Sequence, residues 1–177
     1  MNSFILPAQN TATMTQETKK FFMQKALMQA RVSLRRDEVP IGAVIVNKEG
    51  VIIARAYNQM EAKKSQLAHA ETQAIARACK AVGNWRLIGC FIYVTLEPCL
   101  MCLGLIQLSR LEGVIYGAQS HLFGALSLGA QQIPLYKKSF VIEGGVEEKQ
   151  SIELLQTFFK KIRRTRKVSS ETKNRSS

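Results

Sequence analysis

Hydrophobic side chains recur every three or four residues in three stretches of the chain, the spacing of amphipathic helices that bury one face. The stretches cover residues 18–35, residues 69–82, which Gly83 can stop, and residues 149–167. In the first, the apolar positions are Phe22, Met23, Ala26, Leu27, Ala30 and Leu34. In the last, they are Ile152, Leu155, Phe158 or Phe159, and Ile162. We expect three helices that each pack by one side.

Runs rich in valine and isoleucine predict the strands. Two such runs fill residues 41–58 and are broken at residues 47–50, which predicts a β-hairpin with Gly50 at a turn position of positive φ. Residues 90–97 and 113–118 predict two more strands, and residues 138–146 predict a weaker one. Pro98 begins a further short helix in this interpretation. The order αββαβαββα predicts an α/β fold in which helices cover both faces of one sheet.

The length of 177 residues, with 46% hydrophobic and 21% charged residues, fits one ordinary globular domain. We assign residues 16–167 to this domain, and expect a flexible N-terminus over residues 1–15 and a disordered tail over residues 168–177. Met14 is a candidate alternative start. There is no apolar run of membrane-spanning length and no signal-peptide pattern, so we expect a cytoplasmic protein with reduced cysteines.

The positive charge of the chain is concentrated at its end. Residues 160–177 contain eight Lys or Arg and one Glu, which gives a net +7 of the total +12. A basic segment of this kind predicts a polyanionic partner, nucleic acid before membrane, because no lipidation signal accompanies it. The candidate RNA contacts on the predicted terminal helix are Lys160, Lys161, Arg163 and Arg164.

Candidate metal ligands lie about thirty residues apart, where His69 is followed by Glu71 and Cys99 by Cys102. Two cysteines at positions i and i+3 of a helix that begins at Pro98 direct both sulfurs to one side, and the helix dipole favours their thiolates. His69 begins another helix after an extended segment. Both helix starts can therefore face each other across one end of the sheet.

One histidine and two cysteines fill three positions of a tetrahedral zinc and leave the fourth for water, which is the catalytic arrangement. On a regular helix Glu71 would project away from His69, so the metal must lie ahead of the first turn for Glu71 to relay a proton. A C-x-x-C pair alone also suits a redox pair or half of a structural zinc site. Cys79 and Cys90 could complete a four-ligand site, but neither has a partner at that spacing, and we expect both in the core.

The His-Ala-Glu and Pro-Cys-x-x-Cys motifs resemble the signature of the zinc-dependent cytidine/deoxycytidylate deaminase superfamily. Residues 38–46, 57–58, 89–102, 114–118 and 154–164 resemble its bacterial tRNA adenosine deaminase (TadA-like) branch. The resemblance implies a three-layer α/β/α sandwich with a five-stranded mixed sheet, one zinc ion per subunit and a homodimer. It also implies hydrolytic deamination of adenosine to inosine at the wobble position of the tRNA anticodon stem-loop, with arginine tRNA as the substrate.

The resemblance also assigns roles to individual residues. His69, Cys99 and Cys102 correspond to the zinc ligands, Glu71 to the proton shuttle, and Asn58 with the Ala70 backbone N–H to contacts on the base or its ribose. The chain departs from the family after residue 118. Where the family usually has an acidic residue and a lysine, this chain has Ser120 and Leu122, and we regard Ser120 and His121 as candidate RNA contacts.

Two rival functions share some of these features. A small-molecule deaminase, acting on guanine, cytosine or a free nucleoside, would have the zinc motif but no need for the basic terminal helix. A non-catalytic nucleic-acid-binding module with a structural zinc would have the charge but no use for Glu71. We therefore expect a tRNA deaminase.

Overall fold

The computed structural model describes residues 14–129 and 139–174, with side chains as far as residue 165. The elements, in chain order, are α1 (Gln16–Arg35), β1 (Gly42–Val46), β2 (Ile52–Tyr57), α2 (Met60–Lys63), a 3-10 turn (Gln66–Ala68), α3 (Ala70–Val82), β3 (Phe91–Leu96), α4 (Leu100–Leu108), β4 (Gly113–Ala118), β5 (Val141–Glu143) and α5 (Glu148–Asn174). The predicted order of helices and strands is confirmed, with α2 and the 3-10 turn as additions between β2 and α3.

The five strands form one mixed sheet in the order β2-β1-β3-β4-β5. β1 pairs antiparallel with both β2 and β3, whereas β3–β4 and β4–β5 are parallel. β2, β3 and β4 therefore run in the same direction, and their carboxyl ends lie at one edge of the sheet. We call this edge, where β2, β3 and β4 end, the carboxyl edge.

Alternate residues of the central strands face two separate cores, as the two-residue period of a strand requires. Ala43 and Ile45 of β1 belong to a core with α3 and α4, while Val44 and Val46 belong to a core with α1, against which Leu154 of α5 also packs. Helices therefore cover both faces of the sheet. The predicted α/β/α sandwich with a five-stranded mixed sheet is confirmed.

Local signals placed several boundaries correctly. Gly50 has a φ of 75° in the hairpin turn between β1 and β2, and Gly83 has a φ of 69° at the end of α3. Both values lie in the left-handed region that glycine occupies without strain. β4 has the predicted bounds.

The terminal helix buries Leu155, Phe158 and Ile162 as predicted, but it differs from its prediction at Ile152 and in its end. Ile152 and Phe159 are 37% and 44% exposed, whereas Phe158 is 6% exposed. The buried side follows positions 151, 154, 155, 158 and 162, because α5 packs along β4 and α1. Where disorder was expected from residue 168, α5 continues to Asn174. No glycine or proline interrupts residues 168–174, and extending a helix costs much less than nucleating one.

The expected flexible segment at residues 1–15 falls mostly outside the described residues, as do residues 175–177 of the expected disordered tail. Within the described part, Thr15 caps α1 by accepting the Thr18 backbone N–H at 3.2 Å. No helix in the described ranges is both long and apolar enough to cross a membrane.

Candidate metal and catalytic site

The candidate site lies at the carboxyl edge, where several chain segments leave the sheet together. Asn58 follows β2, Glu97 and Cys99 follow β3, and Ser120 follows β4. The backbone N–H of Gln59 donates to the Ala68 carbonyl at 3.0 Å, which brings the segment after β2 beside the start of α3. Residues far apart in the sequence therefore share one edge, as in other open α/β sheets.

His69 and Cys99 are each the residue immediately before a helix. His69 precedes α3 with φ −61° and ψ 152°, and Cys99 precedes α4 with φ −69° and ψ 169°. The prediction that α4 begins at Pro98 is wrong, because Cys99 is extended and both Pro98 and Cys99 pair with a neighbouring loop. The Pro98 carbonyl accepts the Ala125 N–H at 2.9 Å, and Cys99 forms an isolated antiparallel bridge with Gly124.

The donor atoms of His69, Cys99 and Cys102 lie within 4.8 Å of one another. His69 Nδ1 is 3.4 Å from Cys102 Sγ and 3.9 Å from Cys99 Sγ. A tetrahedral zinc, with bonds of about 2.0 Å to nitrogen and 2.3 Å to sulfur, separates such donors by about 3.5 Å. The imidazole and thiolate donors and their spacing therefore fit a zinc ion with three protein ligands.

The protonation of the three donors is strongly coupled. A hydrogen bond from Cys102, followed by one from His69, lowers the pKa of Cys99 to about 4. The same bond to Cys99, together with burial, raises the pKa of Cys102, and the bond to Cys99 raises the pKa of His69. The groups are thus close enough to share protons, and a cation bound between them would displace those protons.

Glu71 is the second residue of α3 and is 4% exposed. Its Oε2 is buried and has no hydrogen-bond partner among the described residues. Burial raises its pKa, and the carboxyl group interacts with both His69 and Cys102. On a regular helix Glu71 would project away from His69, but His69 precedes α3 and is extended, so this separation does not arise. A buried carboxyl group of raised pKa beside a metal site suits a group that accepts and returns a proton.

Asn58 is 1% exposed, and its contacts determine the direction of its amide. Its backbone N–H donates to the Ile41 carbonyl at 2.9 Å, and its carbonyl accepts from Ser33 Oγ at 3.1 Å. Its Nδ2 donates to Glu38 Oε2 at 3.4 Å. A carboxylate can only accept, so the amide nitrogen must face Glu38 and Oδ1 must face away. Oδ1 is buried without a partner in the described structure, which leaves an acceptor for a ligand.

Glu38 is a residue to which the sequence analysis gave no role. It is 1% exposed, and besides Asn58 its carboxylate accepts the backbone N–H groups of Glu61 at 3.1 Å and Ala62 at 2.8 Å. It therefore links the end of α1, the start of α2 and Asn58. The available signal was an acidic residue directly before the apolar segment that enters β1.

Glu97 is a second residue without a predicted role, and it holds the loop after β4. It is 3% exposed, and its carboxylate accepts the backbone N–H groups of Ser120, Leu126 and Ser127, each at 2.9 Å, and Ser127 Oγ at 2.7 Å. Burial alone would raise the pKa of Glu97, but these hydrogen bonds outweigh it and lower the pKa. A glutamate between a buried strand and Pro98 was the available signal.

The remaining predicted substrate contacts are placed as follows. Ala70 is the first residue of α3, where a helix leaves its backbone N–H without an internal acceptor. Ser120 is half-buried and its backbone N–H is used by Glu97, while His121 is exposed. Cys79 and Cys90 lie outside the metal cluster and pack in the core between α3 and the sheet, as expected.

The four predicted basic contacts of α5 are exposed, and they lie on the opposite face of the sheet from α3 and α4. Lys161 forms an ion pair with Asp37, so it also anchors α5 to the end of α1. Asp37 is adjacent to Glu38, whose carboxylate contacts Asn58. The basic end of α5 therefore lies toward the carboxyl edge, although it is not part of the metal cluster.

Comparison with known proteins identifies the family of this site. Residues 16–118 match the cytidine and deoxycytidylate deaminase zinc-binding region. The tRNA-specific adenosine deaminase of Bacillus subtilis (strain 168) is 41% identical over 158 residues, which cover 88% of this chain and 96% of that protein.

Solved structures agree in fold. A structure from a study of A-to-I editing by tRNA:A34 deaminases at the wobble position of transfer RNA is 40% identical, with a TM-score of 0.70, and the match covers 76% of this chain and 99% of that one. A guanine deaminase from Bacillus subtilis is 35% identical, with a TM-score of 0.54, and the match covers 67% of this chain and 71% of that one.

Proposed function

This chain belongs to the cytidine and deoxycytidylate deaminase family, and from that premise we propose that it is a tRNA adenosine deaminase. The reaction is hydrolysis of adenosine to inosine and ammonia at the wobble position of the anticodon stem-loop, with arginine tRNA as substrate. The observation that carries the chemistry is the unpartnered, buried Oε2 of Glu71 beside the cluster of His69, Cys99 and Cys102. The similarity to tRNA-specific adenosine deaminases supports the substrate.

The proposed cofactor is one zinc ion per chain, held by His69, Cys99 and Cys102. When bound, zinc supplies a Lewis acid that activates water for attack at C6 of adenine. Glu71 would take one proton from the attacking water and pass it to the ring nitrogen. It would then take the remaining proton of the added hydroxyl group and pass it to the amine, which leaves as ammonia. Its burial supports this role, because burial raises the pKa of the carboxyl group and so makes it a better proton acceptor.

Asn58 and Ala70 orient the nucleotide in this proposal. The free Oδ1 of Asn58 is an acceptor, so it binds a donor on the substrate, such as a ribose hydroxyl or a base N–H group. The backbone N–H of Ala70 binds an acceptor. A donor and an acceptor on different segments of the carboxyl edge would fix the base in one direction.

The proposed RNA-binding surface includes the exposed basic end of α5. The Lys161–Asp37 pair holds this end near the segment that contains Glu38 and Asn58. Basic side chains that contact phosphates strengthen RNA binding without reading the sequence. A cytoplasmic location belongs to the same proposal, since tRNA is there and the cysteine thiols remain reduced.

The proposed active form is a homodimer in which α4 contributes to the interface. α4 is apolar on nearly all sides, yet Leu100, Met101 and Leu108 are 57%, 41% and 61% exposed. A helix that is hydrophobic all round is normally buried, so an isologous contact between two copies accounts for this surface.

The alternative is a small-molecule deaminase, and the similarity to a guanine deaminase favours it. The test is to incubate the purified, zinc-loaded protein separately with an anticodon stem-loop RNA, free adenosine, cytosine and guanine. Inosine in the RNA, with no comparable turnover of the free compounds, is the expected result. Turnover of guanine or cytosine without inosine in the RNA would reject the proposed function.

A further inference from the structure

The loop after β4 exposes two large apolar side chains beside the candidate site. Leu122 is 78% exposed and Phe123 is 72% exposed. They lie in the segment that departs from the family pattern. Single exposed apolar residues are common on protein surfaces, so exposure alone does not indicate a binding role. Their position relative to the metal cluster gives them significance.

The loop is held firmly on both sides of its tip. Glu97 accepts hydrogen bonds from Ser120 on one side and from Leu126 and Ser127 on the other. The Gly124 N–H donates to the Ser120 carbonyl at 2.8 Å and closes a tight turn, with residues 121–123 at its tip. The bridge between Gly124 and Cys99 places Phe123 one residue from the pairing partner of a candidate zinc ligand.

An RNA substrate would leave an unpaired base face at this position. An enzyme that deaminates a base must take that base out of its stack, and the neighbouring bases then lose a stacking partner. Proteins that bind single-stranded RNA offer exposed aromatic rings to such bases. The exposed basic end of α5, which lies toward the carboxyl edge, also suits an RNA strand there better than another apolar protein surface.

We propose that Phe123, with Leu122 beside it, is a stacking platform for an unpaired base that flanks the deaminated adenosine. This inference rests on the proposed function and adds a substrate contact on the loop. The backbone on both sides of residue 123 is bonded to Glu97, so the place of this residue on the carboxyl edge is set before RNA binds. Aromatic character at residue 123 is therefore what matters for RNA affinity.

The test measures the dissociation constant of an anticodon stem-loop RNA for protein carrying Glu71→Ala, which prevents turnover. Adding Phe123→Ala should weaken binding about tenfold, within the range of one base–aromatic stack. Phe123→Tyr should retain the affinity. Ile88→Ala is the matched control, because Ile88 is 68% exposed but precedes β3, at the opposite end of that strand from Glu97, and it should bind like the parent.

A second arm replaces one flanking nucleotide, on either side of the target, with an abasic residue. One of these RNAs should bind the parent about tenfold more weakly than the intact RNA does. It should bind Phe123→Ala with little further loss, because that variant already lacks the stacking contact. The platform would be overturned if the losses from Phe123→Ala and from the abasic residue were additive at both flanking positions, or if Phe123→Ala left the affinity unchanged. Inosine formation by the unsubstituted protein would in either case still support the proposed function. Absence of both RNA binding and inosine in the unsubstituted protein would reject both.

The same variants are examined by analytical ultracentrifugation. The oligomeric state of Phe123→Ala should match that of the parent. Dissociation of the protein into monomers by this substitution would assign the ring to a contact between two copies and overturn the platform.

Discussion

Gly124→Ala should destabilise the protein, because the loop after β4 leaves no room for a methyl group beside the Glu97 carboxylate. A Cβ at residue 124 would lie 2.3 Å from Cδ, 2.4 Å from Oε2 and 2.5 Å from Oε1 of Glu97. These distances are far inside van der Waals contact. The buried carboxylate must move, and the four hydrogen bonds that it accepts from Ser120, Leu126 and Ser127 are strained or lost.

The expected loss follows from two contributions. Overpacking of a buried position costs about 1–3 kcal/mol, and each hydrogen bond to a charged group contributes about 1.5–3 kcal/mol. The loop can regain part of its bonding from water, so we expect a total loss of about 3 kcal/mol, near the upper end of ordinary single substitutions. In a domain of this size, that loss corresponds to a fall in Tm of about 6–12 °C.

The assay is thermal and chemical unfolding of the zinc-loaded protein, with Glu97→Ala and the double variant beside Gly124→Ala. Glu97→Ala removes the acceptor and also creates the space that a methyl group needs. Gly124→Ala should therefore cost less than about 1 kcal/mol in that background, a coupling of about 2 kcal/mol. Gln156→Ala is the control, since Gln156 is exposed on α5 and alanine favours a helix. Additive losses from Glu97→Ala and Gly124→Ala would refute the reasoning.

Four further predictions concern the metal, the mechanism, the RNA and pH. Cys99→Ala should lose most of the zinc found by metal analysis, and full retention in a variant lacking all three ligands would reject the assignment. Glu71→Ala should keep its zinc and its Tm while turnover falls about 100- to 10,000-fold, because the substitution removes the proton-transfer group and no metal ligand. Neutralising the exposed basic residues Lys160, Arg163 and Arg164 of α5 should reduce the slope of log RNA affinity against log salt by about 2–3. A slope equal to that of the parent would exclude these residues from the RNA contact. The pKa of Glu97 is lowered in the folded chain, so the ionised carboxylate stabilises the fold above the pKa of an unfolded glutamate, and this stabilisation is lost as pH falls through the folded-state pKa. Glu97→Ala should therefore make the free energy of unfolding depend less on pH across that acidic range, as measured by chemical unfolding.

The sequence alone predicted the fold class and the composition of the candidate site. Periodicity and turn residues act over a few positions, so they predicted the hairpin around Gly50, the stop of α3 at Gly83 and the bounds of β4. The two short motifs named His69, Glu71, Cys99 and Cys102 for a similar reason, since each motif is a local spacing of donor types. The roles of these residues in the reaction remain predictions.

The tertiary structure decided how those local segments meet. Glu38 bonds to backbone groups more than twenty positions away and supports α2, which has no buried residue of its own and no hydrophobic pattern. Glu97 holds a loop that begins twenty-three positions later, and that loop keeps Pro98 and Cys99 out of α4. The buried face of α5 depended on its neighbours in the same way. A carboxylate's partners at such separations leave no periodic signal in one sequence, so only the folded chain shows which backbone groups a buried acid satisfies.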